Sequence, residues 1–171
     1  METWQEKHLA IIEQFFDYLN ANSSDFPLKG GTALRKCYGS LRLTDDIDLD
    51  SERNNRIFAI TRAFCKMHNY DFSIKKDTNT VNKVMINYDK DLMPLKVELS
   101  LHHGFHEEDT TKINGIKTYK IDKLLSLKLE AFIEREKIRD AFDLAFIYLN
   151  YKDEISLNNK KFLAESFRKG R

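Results

Sequence analysis

Two neighbouring segments decide the fold: Lys29-Gly30-Gly31-Thr32-Ala33-Leu34 and Thr44-Asp45-Asp46-Ile47-Asp48-Leu49-Asp50. In the first segment, two glycines precede a helical pattern at 32–38, for which Thr32 is the predicted N-cap. The second segment alternates acidic with aliphatic side chains, which is the period of a half-buried strand. Because aspartate is a poor strand former, several aspartates on one face of a strand indicate a functional role.

Acidic and basic side chains separate sharply around these two segments. Residues 44–52 contain no Lys or Arg and carry five carboxylates: Asp45, Asp46, Asp48, Asp50 and Glu52. Residues 28–43 contain no acid and carry four cations: Lys29, Arg35, Lys36 and Arg42. Carboxylates on one face raise each other's pKa unless a cation lies between them, and oxygen ligands suit Mg²⁺. Glycines before a helix N-terminus let backbone N–H groups approach a phosphate. Together the segments predict metal-assisted chemistry on a nucleoside triphosphate.

Apolar periodicity along the rest of the chain predicts helices around a set of strands. The helical runs are 9–19, 32–38, 57–67, 124–131, 142–149 and 157–167. The strand-like runs are 26–29, 46–50, 70–74, 81–88, 95–101 and 117–121, with the rest of 102–120 loop-rich. The order of these elements predicts an α+β fold: the chain begins with a helix, a strand and a helix, continues as a mostly antiparallel sheet and ends in a helical tail. An α/β unit with a helical C-terminal half is the alternative.

Composition limits the class of protein. The chain has 171 residues, 32% charged and 42% hydrophobic, which suits one compact domain. A formal net charge of +1 excludes a bulk electrostatic nucleic-acid binder, so any polyanion contact is local. Cys37 and Cys65 form no framework, as expected for reduced cytosolic thiols. The sequence shows neither a membrane span nor a signal peptide, so we expect a cytosolic protein.

Each motif also has an ordinary structural explanation. A lone Gly-Gly is usually a turn, and a lone Asp-x-Asp is usually a solvated strand edge. Their order, separated by one short helix, is more specific than either. A metal-dependent nuclease built on the Asp-x-Asp pair with Glu98 and Lys96 ranks second, because it gives the glycines no role. A non-catalytic nucleotide- or partner-binding module on the same fold is a third possibility.

These residues resemble the nucleotidyltransferase superfamily, in the version of the AbiEii/AbiGii-type toxins of bacterial abortive-infection and type IV toxin–antitoxin systems. That family has a Gly-Gly-Thr/Ser segment and, after a helix, a Ser/Thr-x-Asp-x-Asp strand. The family also has a helical motif in which a lysine and an arginine are followed by Arg-Asp-x-x-Asp-Leu. Residues 127–135 match the first part of this motif, and Arg139-Asp140-Ala141-Phe142-Asp143-Leu144 match the second part. The resemblance implies a nucleotidyltransferase-like mixed sheet flanked by helices. It also makes residues 1–121 a catalytic core on which residues 122–171 pack as a helical portion.

The resemblance further implies a role for each matching residue. Asp46 and Asp48 would bind Mg²⁺ or Mn²⁺, and Glu98, which faces opposite to its neighbours Val97 and Leu99, fits the third acid. Three residues would hold the triphosphate: Gly30, Gly31 and Thr32. Thr44 stands where the family often has Ser and belongs to the same nucleotide site. Lys128 would contact the triphosphate, and Asp140 would act as a base or positioning group. Asp45 and Asp50 are flanking acids.

The implied activity is transfer of an NMP from an NTP to an acceptor hydroxyl of RNA or protein, with a cognate antitoxin as a further partner. We therefore expect the carboxylates of Asp46, Asp48 and Glu98 to converge on one point. We also expect Lys128, taken as an exposed side chain, and Asp140 to border the same cleft. Without the resemblance, Arg139 and Asp143, which are four residues apart, would be interpreted as an ordinary surface ion pair.

Three weaker candidates remain. His102, His103 and His106 could bind a transition metal but have no recognised ligand spacing, so a solvated loop is favoured. The basic C-terminal end could meet an RNA backbone but is most simply a solvated helix face; its cations are Lys160, Lys161, Arg168, Lys169 and Arg171. Cys37 has no partner histidine and is not expected to be a nucleophile.

Overall fold

The structure is a computed structural model that describes residues 3–23, 25–51, 56–101 and 105–169. The helices are α1 (Trp4–Asn22), α2 (Gly30–Tyr38), α3 (Ile57–His68), α4 (Ile121–Arg135), α5 (Ile138–Tyr151) and α6 (Leu157–Lys169). The strands are β1 (Leu28–Lys29), β2 (Asp46–Ser51), β3 (Asp71–Asp77), β4 (Val81–Asn87), β5 (Leu95–Leu101), β6 (Thr110–Ile113) and β7 (Ile116–Tyr119). The predicted α+β fold is confirmed.

Seven strands form one mixed sheet in the order β3-β4-β5-β2-β1-β7-β6. β2 runs parallel to β5, β1 runs parallel to β7, and the other pairs are antiparallel. The register of the β2–β5 pair sets Asp48 beside Glu98 and Asp46 beside Lys96. Because side chains alternate along a strand, these four side chains share one face of the sheet.

One hydrophobic core joins the N-terminal helix, the sheet and the C-terminal helices. α1 begins with a capping box between Thr3 and Glu6 and buries one apolar face. Leu129 of α4 and Ile147 of α5 are fully buried in the same cluster as the α1 and strand residues. Burial of this shared face, rather than helix propensity, holds α4 and α5 against the sheet.

Two local expectations are wrong. Thr32 is not an N-cap, because α2 begins at Gly30 and the Thr32 hydroxyl lies inside the first turn. The region expected to be mostly loop contains a hairpin of two strands, β6 and β7, which turns at Asn114 and Gly115. Both turn residues have positive φ, 51° and 79°. An Asn-Gly pair between short strands is the usual signal for such a turn, and the expectation overlooked it.

Among the described residues, no helix is both long and apolar enough to cross a membrane.

Candidate active site

A polar cleft of about 220 Å³ lies where β2 and β5 meet the start of α2 and the α4–α5 pair. Four acids line it: Asp45, Asp46, Asp48 and Glu98. Five cations line it: Arg42, Lys96, Lys128, Arg135 and Arg139. Gly31, Thr32 and Thr44 complete the lining. The cleft therefore brings together most of the residues predicted from the two sequence motifs.

The acidic wall of the cleft comes from neighbouring positions on two parallel strands. Asp48 and Glu98 are cross-strand partners, so the alternation of β5 places Glu98 on the side expected from the sequence. Burial raises the pKa of the Asp48 carboxyl; Lys96 opposes the rise, and the negative charges of Asp46 and Glu98 add to it. The surroundings of Asp48 thus disfavour its charged form.

Lysines hold the other two predicted metal ligands. Lys96 Nζ lies 2.7 Å from Asp46 Oδ2, and Lys83 Nζ lies 2.8 Å from Glu98 Oε2. Burial favours a higher pKa for Glu98, but the hydrogen bond and charge of Lys83 bring it below its ordinary value. Within the described ranges, no three acidic, His or Cys side chains are assembled closely enough to hold a metal ion. Asp46, Asp48 and Glu98 line one cleft, two of them pair with lysines, and their convergence on a metal ion stays a prediction.

The two glycines lie where a side chain would not fit. Gly30 has φ of +73°, and a Cβ there would lie 2.7 Å from Asp48 Oδ2. A Cβ on Gly31 would lie 2.1 Å from Arg42 Nη2 and 2.9 Å from Thr44 Cγ2. These close approaches place the start of α2, with its unpaired backbone N–H groups, directly beside the acids and Arg42.

The two threonines fix the start of α2 to the sheet. The Thr32 hydroxyl lies 2.5 Å from the Asp46 carbonyl oxygen and 3.0 Å from Thr44 Oγ1. Thr32 is 2% exposed and Thr44 is 7% exposed. Their hydroxyls are already committed to each other and to the backbone, so both residues position the glycines.

Lys128 and Asp140 lie in a buried chain of ion pairs. Lys128 Nζ lies 3.2 Å from Asp140 Oδ1 and 2.6 Å from Asp143 Oδ2. Arg135 binds Asp140 through two N–H groups, at 2.8 and 2.9 Å, and Arg42 binds Asp143 in the same way, at 2.7 and 2.9 Å. The three cations line the cleft, and both aspartates are fully buried. The expectation of an exposed Lys128 is wrong, because its side chain is 9% exposed.

Asp140 does not border the cleft as expected. It is absent from the cleft lining and lies behind Lys128 and Arg135. Burial acts to raise the pKa of Asp140, but Arg135 and Lys128 bring it below its ordinary value. A carboxylate that stays ionised behind two cations is a poor proton acceptor, so Asp140 is a positioning group. The Arg139–Asp143 surface pair is also wrong, since Asp143 is buried with Arg42 and Lys128.

Asp50 has a structural role. It follows Asp48 on the same face of β2, yet it is 3% exposed and fully paired. Lys29 Nζ lies 2.5 Å from one carboxylate oxygen, and the Tyr119 hydroxyl donates to the other at 2.6 Å. Lys29 also donates to Ser100. This network binds β1, β2, β5 and β7 together beneath the cleft.

Of the remaining sequence candidates, those that the structure describes do not line the cleft. Glu52, His102, His103 and Arg171, together with the side chain of Lys169, lie outside the described residues. His106 is exposed. Burial raises the pKa of both cysteine thiols, Cys37 and Cys65, to about 11, so neither is a nucleophile at neutral pH.

Some residues of the cleft have no individual role in the prediction made from the sequence motifs. The cleft lining includes Arg42, Lys96 and Arg139, to which the proposed nucleotidyltransferase motifs assign no individual role. A signal for Arg42 was available: it precedes the acidic strand by few residues, so it has to lie near the same edge of the sheet.

Comparisons with known proteins identify the fold. The fold is similar to that of JHP933 from Helicobacter pylori, with a TM-score of 0.81 and 27% identity over 94% of this chain and 73% of that one. It is similar to the Megavirus polyadenylate synthase, with a TM-score of 0.64 and 16% identity over 86% of this chain and 32% of that one. It is also similar to the antibiotic-resistance factor ANT(2'')-Ia, with a TM-score of 0.63 and 13% identity over 99% of this chain and 94% of that one. The last two likenesses show the fold alone.

No curated protein gives a significant match. The family model of the nucleotidyl transferase AbiEii toxin, of type IV toxin–antitoxin systems, matches residues 16–171, a span that includes both the glycine–aspartate segments and the α4–α5 charge cluster. With this match over most of its length, the chain belongs to the AbiEii family of nucleotidyltransferases.

Proposed function

We propose that this enzyme uses Mg²⁺ or Mn²⁺ to transfer an NMP from an NTP to a hydroxyl of an RNA or protein acceptor. One observation carries the proposal: the acids of two parallel strands, an open helix start and three anchored cations line a single cleft. We further propose that it acts as the toxin of a toxin–antitoxin pair and has a cognate antitoxin.

Asp46, Asp48 and Glu98 would hold the metal ion. Carboxylate oxygens are the ligands that Mg²⁺ prefers, and burial together with the charges of Asp46 and Glu98 raises the pKa of Asp48, an effect that a bound cation would oppose. Asp46 and Glu98 would release Lys96 and Lys83 to bind the ion. When bound, the ion would neutralise triphosphate charge and polarise the α-phosphorus.

The start of α2 and the cationic wall would hold the phosphates. Gly30 and Gly31 carry no side chain of their own, and the Arg42 guanidinium lies against Gly31, so a phosphate at the start of α2 would meet this cation together with backbone N–H groups. Lys128 would supply a charge from the opposite wall, held in place by Asp140 and Asp143. The acceptor hydroxyl would lose its proton to solvent and attack the α-phosphorus in line, the bond to the bridging oxygen would break, and pyrophosphate would leave.

Label transfer tests the proposal. The purified protein is incubated with Mg²⁺, each α-labelled NTP and either total RNA or total protein. The parent is expected to label one of the two pools, and Asp46→Asn and Asp48→Asn are expected to lose that labelling. Asp153→Asn, at an exposed position away from the cleft, is the matched control and is expected to label as the parent does.

Other outcomes would favour the alternatives. Cleavage of nucleic acid without any NTP would favour the nuclease. Saturable NTP binding without transfer to either pool would favour the non-catalytic module. Growth arrest on expression of the parent, absent with Asp48→Asn, would support the toxin assignment; equal growth of both strains would contradict it.

A further inference from the structure

Arg42 lies at the point where the two halves of the cleft meet. Its Nη2 atom occupies the space in front of Gly31, 2.1 Å from where a Cβ would be. The side chain is 23% exposed and lines the cleft. Arg42 therefore stands at the first turn of α2, where unpaired N–H groups already favour an anion.

Asp143 holds that guanidinium in a fixed orientation. Arg42 Nε and Nη2 donate to the two oxygens of Asp143 at 2.7 and 2.9 Å, and Nη1 donates to the Leu43 carbonyl at 3.1 Å. This two-point geometry fixes the plane of the guanidinium, which a single contact would not do. Each Nη group keeps a further N–H that these bonds do not use.

The charges around Arg42 do not cancel. Arg42, Lys128 and Arg135 share two aspartates, Asp140 and Asp143, in an alternating chain. The two anions are fully buried and the three cations line the cleft, so the chain presents a net positive wall. This wall therefore carries one more cation than anion, in the same cleft as the acids of β2 and β5.

We propose that Arg42 binds a phosphate of the substrate together with the N–H groups of the α2 start, and that Asp143 positions Arg42 for this contact. The inference rests on the proposed function, in that the ligand is a nucleoside polyphosphate. In this arrangement Asp143 serves Arg42 as Asp140 serves Arg135, and Lys128 is held by both.

The test compares ligands that differ in their phosphates. Dissociation constants are measured by calorimetry for the four NTPs and the four nucleosides with Mg²⁺. Arg42→Met is expected to weaken triphosphate binding roughly ten- to a hundred-fold, the range for a lost charged hydrogen bond, and to leave nucleoside binding unchanged. Arg42→Lys restores the charge but not the two-point anchor, so its affinity for the triphosphate is expected to lie between those of the parent and Arg42→Met.

Asp143→Asn keeps the charge of Arg42 and removes its anchor. It is expected to weaken triphosphate binding in the parent and to do so less in an Arg42→Met background, because part of its effect acts through Arg42. Thermal melts show whether this buried change still folds; if it does not, the two Arg42 variants still decide the matter. Arg35→Met, in α2 but outside the cleft lining, is the matched control and is expected to bind as the parent does.

Three outcomes would overturn the inference. Arg42→Met could bind triphosphate as tightly as the parent. It could also lose triphosphate and nucleoside equally, which would indicate a distorted fold. A parent that binds none of the four NTPs would end both this inference and the proposed function. If Arg42→Met weakens binding of the triphosphate but not of the nucleoside, and the parent transfers no label, the inference stands and the proposed transfer fails.

Discussion

Gly30 combines a left-handed backbone with close contact to an acid of the cleft. We predict that Gly30→Ala loses about 1–2 kcal/mol of stability from its φ of +73° and, because the new Cβ displaces Asp48, also loses binding of Mg²⁺ and NTP. Gly39→Ala is the matched control, since its φ is +79° but nothing lies within 4 Å of the added Cβ. Gly39→Ala is expected to lose similar stability in urea unfolding and to bind NTP normally. Equal loss of binding in both variants would show that the Gly30 contact has no specific role.

Asp140 makes stability depend on pH. Its folded pKa is lowered from 3.8, so it contributes stability that is present above that value and is lost as pH falls through the folded pKa. We predict that Asp140→Asn is less stable than the parent by about 3–5 kcal/mol at pH 7, because it leaves Lys128 and Arg135 without this carboxylate. Its loss of stability below about pH 4 is expected to be shallower than the parent's. Urea unfolding at a series of pH values measures both effects; parallel pH curves would contradict the assignment.

Strand β2 carries two aspartates of opposite physical character at alternate positions. Asp48 is half-buried and its pKa is raised by desolvation and by neighbouring acids, whereas Asp50 is buried and binds Lys29 and Tyr119. We predict that Asp48→Asn melts at an equal or higher temperature than the metal-free parent. Asp50→Asn is expected to lose about 3–5 kcal/mol, because it leaves the half-buried Lys29 without its carboxylate partner. With Mg²⁺ and NTP, the parent is expected to gain stability and Asp48→Asn is not. A clear loss of metal-free stability in Asp48→Asn would make it a structural residue.

Local pattern was sufficient for part of the site. The alternation in 46–50 and 95–101 predicted two strands and placed Glu98 opposite Val97 and Leu99, because side-chain direction follows from a period of two. Partners across the sheet could not be predicted in this way. The Lys96–Asp46 and Lys83–Glu98 pairs depend on the strand order β4-β5-β2, which long-range packing decides.

The sequence predicted α4 and α5 correctly as helices, but it predicted the wrong partners for Asp143 and the wrong exposure for Lys128. Helical spacing relates Arg139 to Asp143 because they are four residues apart, and this local rule suggested a surface pair. The structure instead joins Asp143 to Arg42, which is 101 residues distant. A lysine in a helix is usually exposed, so the burial of Lys128 followed from its two aspartate partners and not from its own chemistry.

At the scale of the whole molecule, the expected division at residue 121 crosses a continuous core. Leu129 and Ile147 pack in the same cluster as Phe15 and Leu49. We predict that residues 1–121 alone show no cooperative thermal transition, and that co-expression with residues 122–171 restores one. A cooperative melt of the short fragment would identify an independent domain and contradict the single unit.

The pairing of Arg42 with Asp143 also has a consequence for synthesis on the ribosome. A nascent chain that has reached residue 120 contains every carboxylate that lines the cleft but none of the cations from α4 and α5. At roughly 5–20 residues per second, about one to five seconds more of translation are needed before Asp143 can anchor Arg42. During that interval the emerging chain carries the acids of the cleft and Arg42 without the α4 and α5 charges that surround them in the folded protein, so the cleft is complete only when the helical half has been translated and has docked.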